Sequence, residues 1–205
     1  MESLPRLFAE DYVQEILMTG EMSCKNIRYG QKYWKRTKHV FLTILEMLKR
    51  ALTLATNDNE RQFLGGVVSE MGRNLGKYLD NFEHLLGGIS DDILMYAPTD
   101  TLADNYITLW REIKRNSFVR MMATDLVPLW HVLELRAYLT RQPQYKSSPL
   151  TNFILYTDLP IEAMVNFYKS VIDSHAPNIT AAEEHELFQL TNEANDLDFK
   201  FYIST

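Results

Sequence analysis

The residues best placed to do chemistry lie on one stretch of about 27 residues, from Glu60 to Leu86, whose apolar spacing predicts a helix. Leu64, Val68, Met71, Leu75, Tyr78 and Phe82 alternate by fours and threes and form one apolar stripe at 100° per residue. Glu70, Asn74, Lys77 and Asn81 fall together beside that stripe. A carboxylate, two amides and an ammonium in a line could wall a pocket between helices, or could be a solvated face. Gly65, Gly72 and Gly76 lie on the other flank, where they suggest a neighbouring backbone or a flat ligand approaching closely. Asp80 and His84 make an i,i+4 acid–imidazole pair, which reads as a surface contact. His131 follows Pro128 and precedes Glu134. A proline frees a carbonyl that an imidazole could satisfy, and His131 is a candidate to line a pocket there.

These residues need rods to position them, and the chain reads as rods nearly throughout. Helices are expected over 6–18, 25–54, 60–86, 101–115, 118–141 and 150–173, and from Thr180 to Tyr202, about seven in all. Asn57-x-x-Glu60 and Thr180-x-x-Glu183 have the form of capping boxes. Pro128 and Pro160 both fall inside predicted helices and should kink them. No strand pattern, repeat or linker is found, and the expectation is an all-α single domain spanning residues 1–205.

Composition narrows the classes. The chain has 205 residues, 46% hydrophobic and 23% charged, with net charge −6. An acidic chain lacks the clustered positive charge that coats nucleic acid, and no nucleic-acid partner is expected. No apolar run reaches membrane-span length and the N-terminus lacks a signal-peptide layout, so the expected setting is the cytoplasm. The one cysteine, Cys24, excludes an internal disulfide and a cysteine-rich zinc site. There is no P-loop, Rossmann glycine pattern or His-Glu-x-x-His helix. Lys25 to Lys38 holds six basic residues and no acid, interleaved with Tyr29, Tyr33 and Trp34, whereas Glu183 to Asp198 holds six acids and no lysine or arginine. The first reads as the wet face of a helix. The two could face each other within the fold or across a homodimer.

The run Asn59 to Gly72, followed by Phe82 to Ser90 with its Leu85-Leu86-Gly87-Gly88-Ile89 ending, is similar to the heme-oxygenase-like superfamily. The TenA-type thiaminases, pyrroloquinoline-quinone synthases and CADD-type iron oxidases are the branches it resembles. Asp125-Leu126-Val127-Pro128 resembles the Leu-Pro helix of that fold, and Asp198-Phe199-Lys200-Phe201-Tyr202 resembles the TenA ending Glu-x-x-Phe-Trp. The resemblance implies an all-α helical bundle with Glu70 facing inward.

Departures from the family pattern bear on its chemistry. Iron-binding members pair that glutamate with a histidine seven residues on, where this chain has Lys77. Their later ligand positions fall on Tyr156, Pro160 and Ala163. These side chains cannot replace imidazole and carboxylate, so no family-type metal site is expected. The thiaminase cysteine after Leu-Pro is Leu129 here, and nucleophilic thiaminase chemistry is not expected. Heme needs an early axial histidine, and the first thirty residues hold none. No cofactor is identified.

Two functional readings stay open. The first is a divergent TenA/quinone-synthase/CADD-type protein that binds a small aromatic or heterocyclic metabolite, with oxidoreductase or cofactor-metabolism chemistry implied by the resemblance. Its acid/base would be Glu70, with Lys77 as electrostatic neighbour and Tyr156 beside them. Asn74, His131 and Asp198 would bind the ligand. The second is a non-catalytic binding or interaction protein on the same scaffold, favoured by the missing ligands and nucleophile.

Overall fold

Two polar-x-x-Glu signatures each start a helix. In the computed structural model of the chain, the Asn57 side chain accepts the Glu60 amide at 3.0 Å, and the Glu60 carboxylate accepts the amides of Thr56 at 2.7 Å and Asn57 at 3.4 Å. Orphan amides of the first turn are thereby satisfied in both directions. Thr180 and Glu183 repeat the device: the Thr180 amide donates to the Glu183 carboxylate at 2.8 Å, and the Glu183 amide donates to the Thr180 hydroxyl at 3.3 Å. Ser117 caps a third helix by accepting the Arg120 amide at 3.3 Å.

The structure describes residues 14, 15, 18, 27–85, 101–113, 117–143 and 160–203. They form six α-helices: α1 Ile27–Leu54, α2 Asp58–Leu85, α3 Thr101–Ile113, α4 Phe118–Thr140, α5 Ile161–His175 and α6 Ala181–Ile203, with a 3-10 turn Ala176–Asn178 before α6. No strand occurs among the described residues, and the all-α expectation holds. No helix among them is long and apolar enough to cross a membrane. The expected helix over 6–18 lies largely outside the described residues.

The 55–57 connection turns α1 back along α2, and α3 packs against α1. The second half of the molecule is organised around α4, which packs on both α5 and α6. Phe118 meets His175, and Asp125 meets Tyr168, so α4 and α5 run antiparallel. Arg120 pairs with Glu186 and His131 with Asp198, so α4 and α6 run parallel. α6 also reaches α3. Phe63 of α2 and Phe167 of α5 stack at 4.1 Å, joining the two halves.

The core fills the space among these rods. Trp110, Tyr106, Tyr168, Met47, Leu48, Leu64, Met121 and Met122 are wholly enclosed. Each such apolar side chain contributes roughly 1.5–3 kcal/mol on burial. The α2 stripe is seen in buried Leu64 and Met71 and half-buried Val68, with Val67 added beside them.

Two expectations are corrected. Pro160 does not kink a helix interior; it stands at the N-cap of α5, where the missing amide costs nothing. Pro128, by contrast, lies inside α4 as expected. It deprives the Thr124 carbonyl of its donor. The glycine flank of α2 is not a close approach at the positions described: a Cβ at Gly65 or Gly72 would meet nothing within 4 Å. The spacing aligned those glycines, but no neighbouring backbone or side chain closes on Gly65 or Gly72.

Candidate functional site

Long-range polar contacts converge on one buried carboxylate. Asp198, on the last helix, is 2% exposed. Its Oδ1 accepts the Tyr106 hydroxyl of α3 at 2.8 Å, and its Oδ2 lies 2.5 Å from His131 Nδ1 of α4. Partners 92 and 67 residues away in the chain thus meet on one side chain. A buried carboxylate is costly unless its oxygens are satisfied, and here both are.

The sequence places each member. Tyr106 belongs to the buried face of α3 with Ile107 and Trp110. On α6, Asp198 follows Ala194 and Leu197 on the side turned to the core. His131 sits one turn past Pro128, at the edge of the α4–α6 contact, with 22% of its side chain exposed. The constellation is therefore enclosed at the carboxylate and open at the imidazole.

Burial alone would pull the His131 imidazole down. The hydrogen bond and charge of Asp198 oppose it, with smaller contributions from the Asn195 side chain and the Glu134 charge, and the net effect is a pKa above the ordinary value. Asn195 lies three residues before Asp198 on α6, and Glu134 three residues after His131 on α4. Glu134 also accepts the Trp130 indole N–H at 3.1 Å, and the Lys169 ammonium lies 5.4 Å from the Trp130 ring centre. A carboxylate that orients an imidazole while a tyrosine holds the carboxylate is the arrangement of a general acid/base. Nδ1 is committed to Asp198, which leaves Nε2 as the second ring nitrogen.

A second tyrosine–carboxylate pair lies deeper in the same half. Tyr168 of α5 donates to Asp125 Oδ2 at 2.8 Å, and both are buried. Burial pushes the Asp125 carboxyl up to about 7, a shift that the Tyr168 hydrogen bond only partly opposes. Burial, then the Asp125 charge and hydrogen bond, hold the Tyr168 phenol well above its usual range. Among the described residues one buried side-chain donor is left over: the Trp110 indole nitrogen has no acceptor, although its ring lies 5.9 Å from that of Tyr106.

Of the candidates named from the sequence, the structure brings His131 and Asp198 together. Glu70 is half-buried on α2, and its carboxylate takes the Arg73 guanidinium of its own helix. Lys77 is exposed. Asn74 lies within α2 with its side chain outside the described residues, as do those of Asp80 and His84, and Tyr156 lies outside them altogether. The positions that the sequence resemblance assigned to metal ligands are exposed Lys77, exposed Pro160, exposed Ala163 and Tyr156 outside the described residues, and lysine, proline and alanine do not fit an iron site. No group of three potential metal ligands occurs among the described residues. Leu129, at the thiaminase cysteine position, is half-buried and cannot act as a nucleophile.

Tyr106, Asn195, Asp125 and Tyr168 were missed. A signal existed for Asp125, the one charge in the otherwise apolar run from Met121 to Trp130. Asn195 also shares a helix face with Asp198. Nothing local marked Tyr106.

No protein-family model matches the chain, and no curated protein sequence is significantly similar to it. Among solved structures, the chain is similar to an X-ray structure of a TenA homologue from Pyrococcus furiosus. The TM-score is 0.76 at 14% identity, over 98% of this chain and 93% of that one. The resemblance read from the sequence is thereby borne out at the level of fold.

Proposed function

We propose that this chain is a TenA-like helical protein that binds a small aromatic or heterocyclic metabolite at Tyr106, Asp198 and His131, and that His131 transfers a proton to or from it. The observation that carries this reading is the convergence of three helices on one buried carboxylate whose imidazole partner keeps an accessible edge. Asp198 orients the ring and balances its charge. Tyr106 fixes the carboxylate. A ligand reaching Nε2 meets a proton donor below the raised pKa and a base above it.

This moves the acid/base role from Glu70, whose carboxylate is taken by Arg73, to His131. Any oxidoreductase step implied by the resemblance would draw on the same proton-transfer group. The lack of a cysteine at Leu129 supports chemistry without a covalent thiol intermediate. It also favours the second reading, in which the ligand is held unchanged.

The test begins with thermal-shift screening of the purified chain against thiamin, aminopyrimidines and bicyclic quinones. Any compound that raises the melting temperature is then incubated with the protein and followed by mass spectrometry. Conversion that is lost in His131→Gln supports the acid/base reading. Binding without conversion supports the binding module. If no heterocycle binds, the ligand class is wrong.

A further inference from the structure

Four large apolar side chains are exposed among the described residues: Met18, Leu42, Trp130 and Phe188. Trp130 is occupied by Glu134 at its indole N–H and by Lys169 over its ring. Leu42 on α1 and Phe188 on α6, at 41% and 64% exposure, stand on helix faces turned away from the core.

Those faces carry opposite charge. Helix α1 holds seven lysines and arginines against one acid, Glu46, and α6 holds six acids against one lysine, Lys200. Arg28, Lys35, Leu42 and Lys49 recur every seven residues along α1, a spacing that drifts only about 20° per step and keeps them on one line. Lys49 is exposed, and Lys38 lies one turn before Leu42. On α6, Glu183 serves the cap, Glu186 pairs with Arg120 and Asp198 is buried. Glu184, Glu193 and Asp196 are exposed, Glu184 one turn before Phe188 and Asp196 two turns beyond it. Within the chain α1 packs on α2, α3 and α4, and α6 on α3 and α4, so neither charged face covers the other.

We propose that each face is covered by the opposite face of a second copy of this chain. Helix α1 of one protomer lies along α6 of its partner, with Leu42 and Phe188 at the centre of the contact. A polyanion would answer α1 alone and a cationic partner α6 alone, whereas a second copy answers both. A twofold axis repeats the contact with the roles exchanged, which doubles the buried area and closes the assembly at a dimer. The apolar pair supplies the anchor, and the surrounding charges steer and orient the encounter.

The test needs no ligand. In sedimentation velocity of the full chain at low salt, the mass should rise with concentration from one chain to two and stop there. Added salt should weaken the association. Phe188→Asp and Leu42→Asp, both at exposed positions, should each weaken it by at least about tenfold while the helical circular-dichroism spectrum is retained. Lys35→Glu with Lys49→Glu places acids around both Leu42 and Phe188, and Glu184→Lys with Asp196→Lys places bases around both. Each of these chains alone should be monomeric, and an equimolar mixture should form a one-to-one heterodimer. A wild-type chain that stays monomeric up to about 100 μM overturns the proposal. So does a dimer that Phe188→Asp leaves unchanged, or a pair of charge-reversed chains that do not associate when mixed.

Discussion

Asp125 and Asp198 are a matched pair of buried carboxylates. Each is 2% exposed, and each accepts a tyrosine hydroxyl at 2.8 Å from another helix. They differ in what stands on the second oxygen. Asp198 has the His131 imidazole, with an edge toward solvent, whereas Asp125 is sealed between α4 and α5 and is driven toward its neutral form by burial. One tyrosine bond is enough to satisfy a carboxyl group geometrically but not to keep it ionised in an apolar setting. An imidazole partner at the molecule's edge leaves the Asp198 motif with a titratable group that solvent can reach.

The largest effect should come from breaking the charged pair. Asp198→Ala leaves a half-buried imidazole and a buried phenol without their acceptor, and should cost about 2–5 kcal/mol in urea unfolding, roughly 1–3 kcal/mol for each unsatisfied group. It should also lower the His131 midpoint measured by NMR. A loss near that of an ordinary surface change would mean that the carboxylate is not shared as described.

Asp125→Asn should act in the opposite direction. The folded carboxyl titrates near 7 against 3.8 for the free group, so the unfolded chain releases its proton first as pH rises. The stability contributed by neutral Asp125 is therefore complete below about pH 4, declines through the interval up to about pH 7, and is flat above it. Asparagine still accepts from Tyr168 and cannot ionise. The variant should gain roughly 1–2 kcal/mol above pH 7, less than the full linkage because its amide protons need partners. The gain should vanish at pH 4, which melting curves across this range would show.

The two tyrosines sharpen the contrast. Tyr168→Phe leaves Asp125 without the hydrogen bond that lowers its pKa, and should cost about 1–3 kcal/mol. Tyr106→Phe leaves Asp198 with His131, and should cost nearer 0.5–1.5 kcal/mol. Equal losses would show that the imidazole does not support its carboxylate independently. The smallest effect belongs to Glu70→Gln, whose partner Arg73 is 70% exposed. It should change stability by less than about 0.5 kcal/mol and leave ligand conversion intact. Lost conversion with unchanged stability would return the acid/base role to Glu70.

Much of the fold was legible because its signals are local. The capping boxes at Asn57 and Thr180 act over three residues, and the α2 stripe repeats with the helical turn. Pro160 was misread because proline suits a helix start as well as a kink, and only the backbone around it distinguishes them. The glycines of α2 were correctly aligned on one flank, yet alignment carries no information about what lies opposite. At the site, His131 and Asp198 were both expected to bind the ligand, with Asn74, but as separate groups lining a pocket. Their contact was not foreseen.

What the order of residues settles here is the set of rods and their wet and dry sides, since caps, turns and apolar repeats depend on neighbours within a few positions. Which polar groups meet is settled by how the rods lie against one another. Asp198 could have been another solvated acid in an acidic segment; the parallel packing of α6 on α4, with α3 beside it, buries it and delivers the phenol and imidazole to its two oxygens. Charge burial is a property of the enclosing volume, and that volume exists only once the helices have packed.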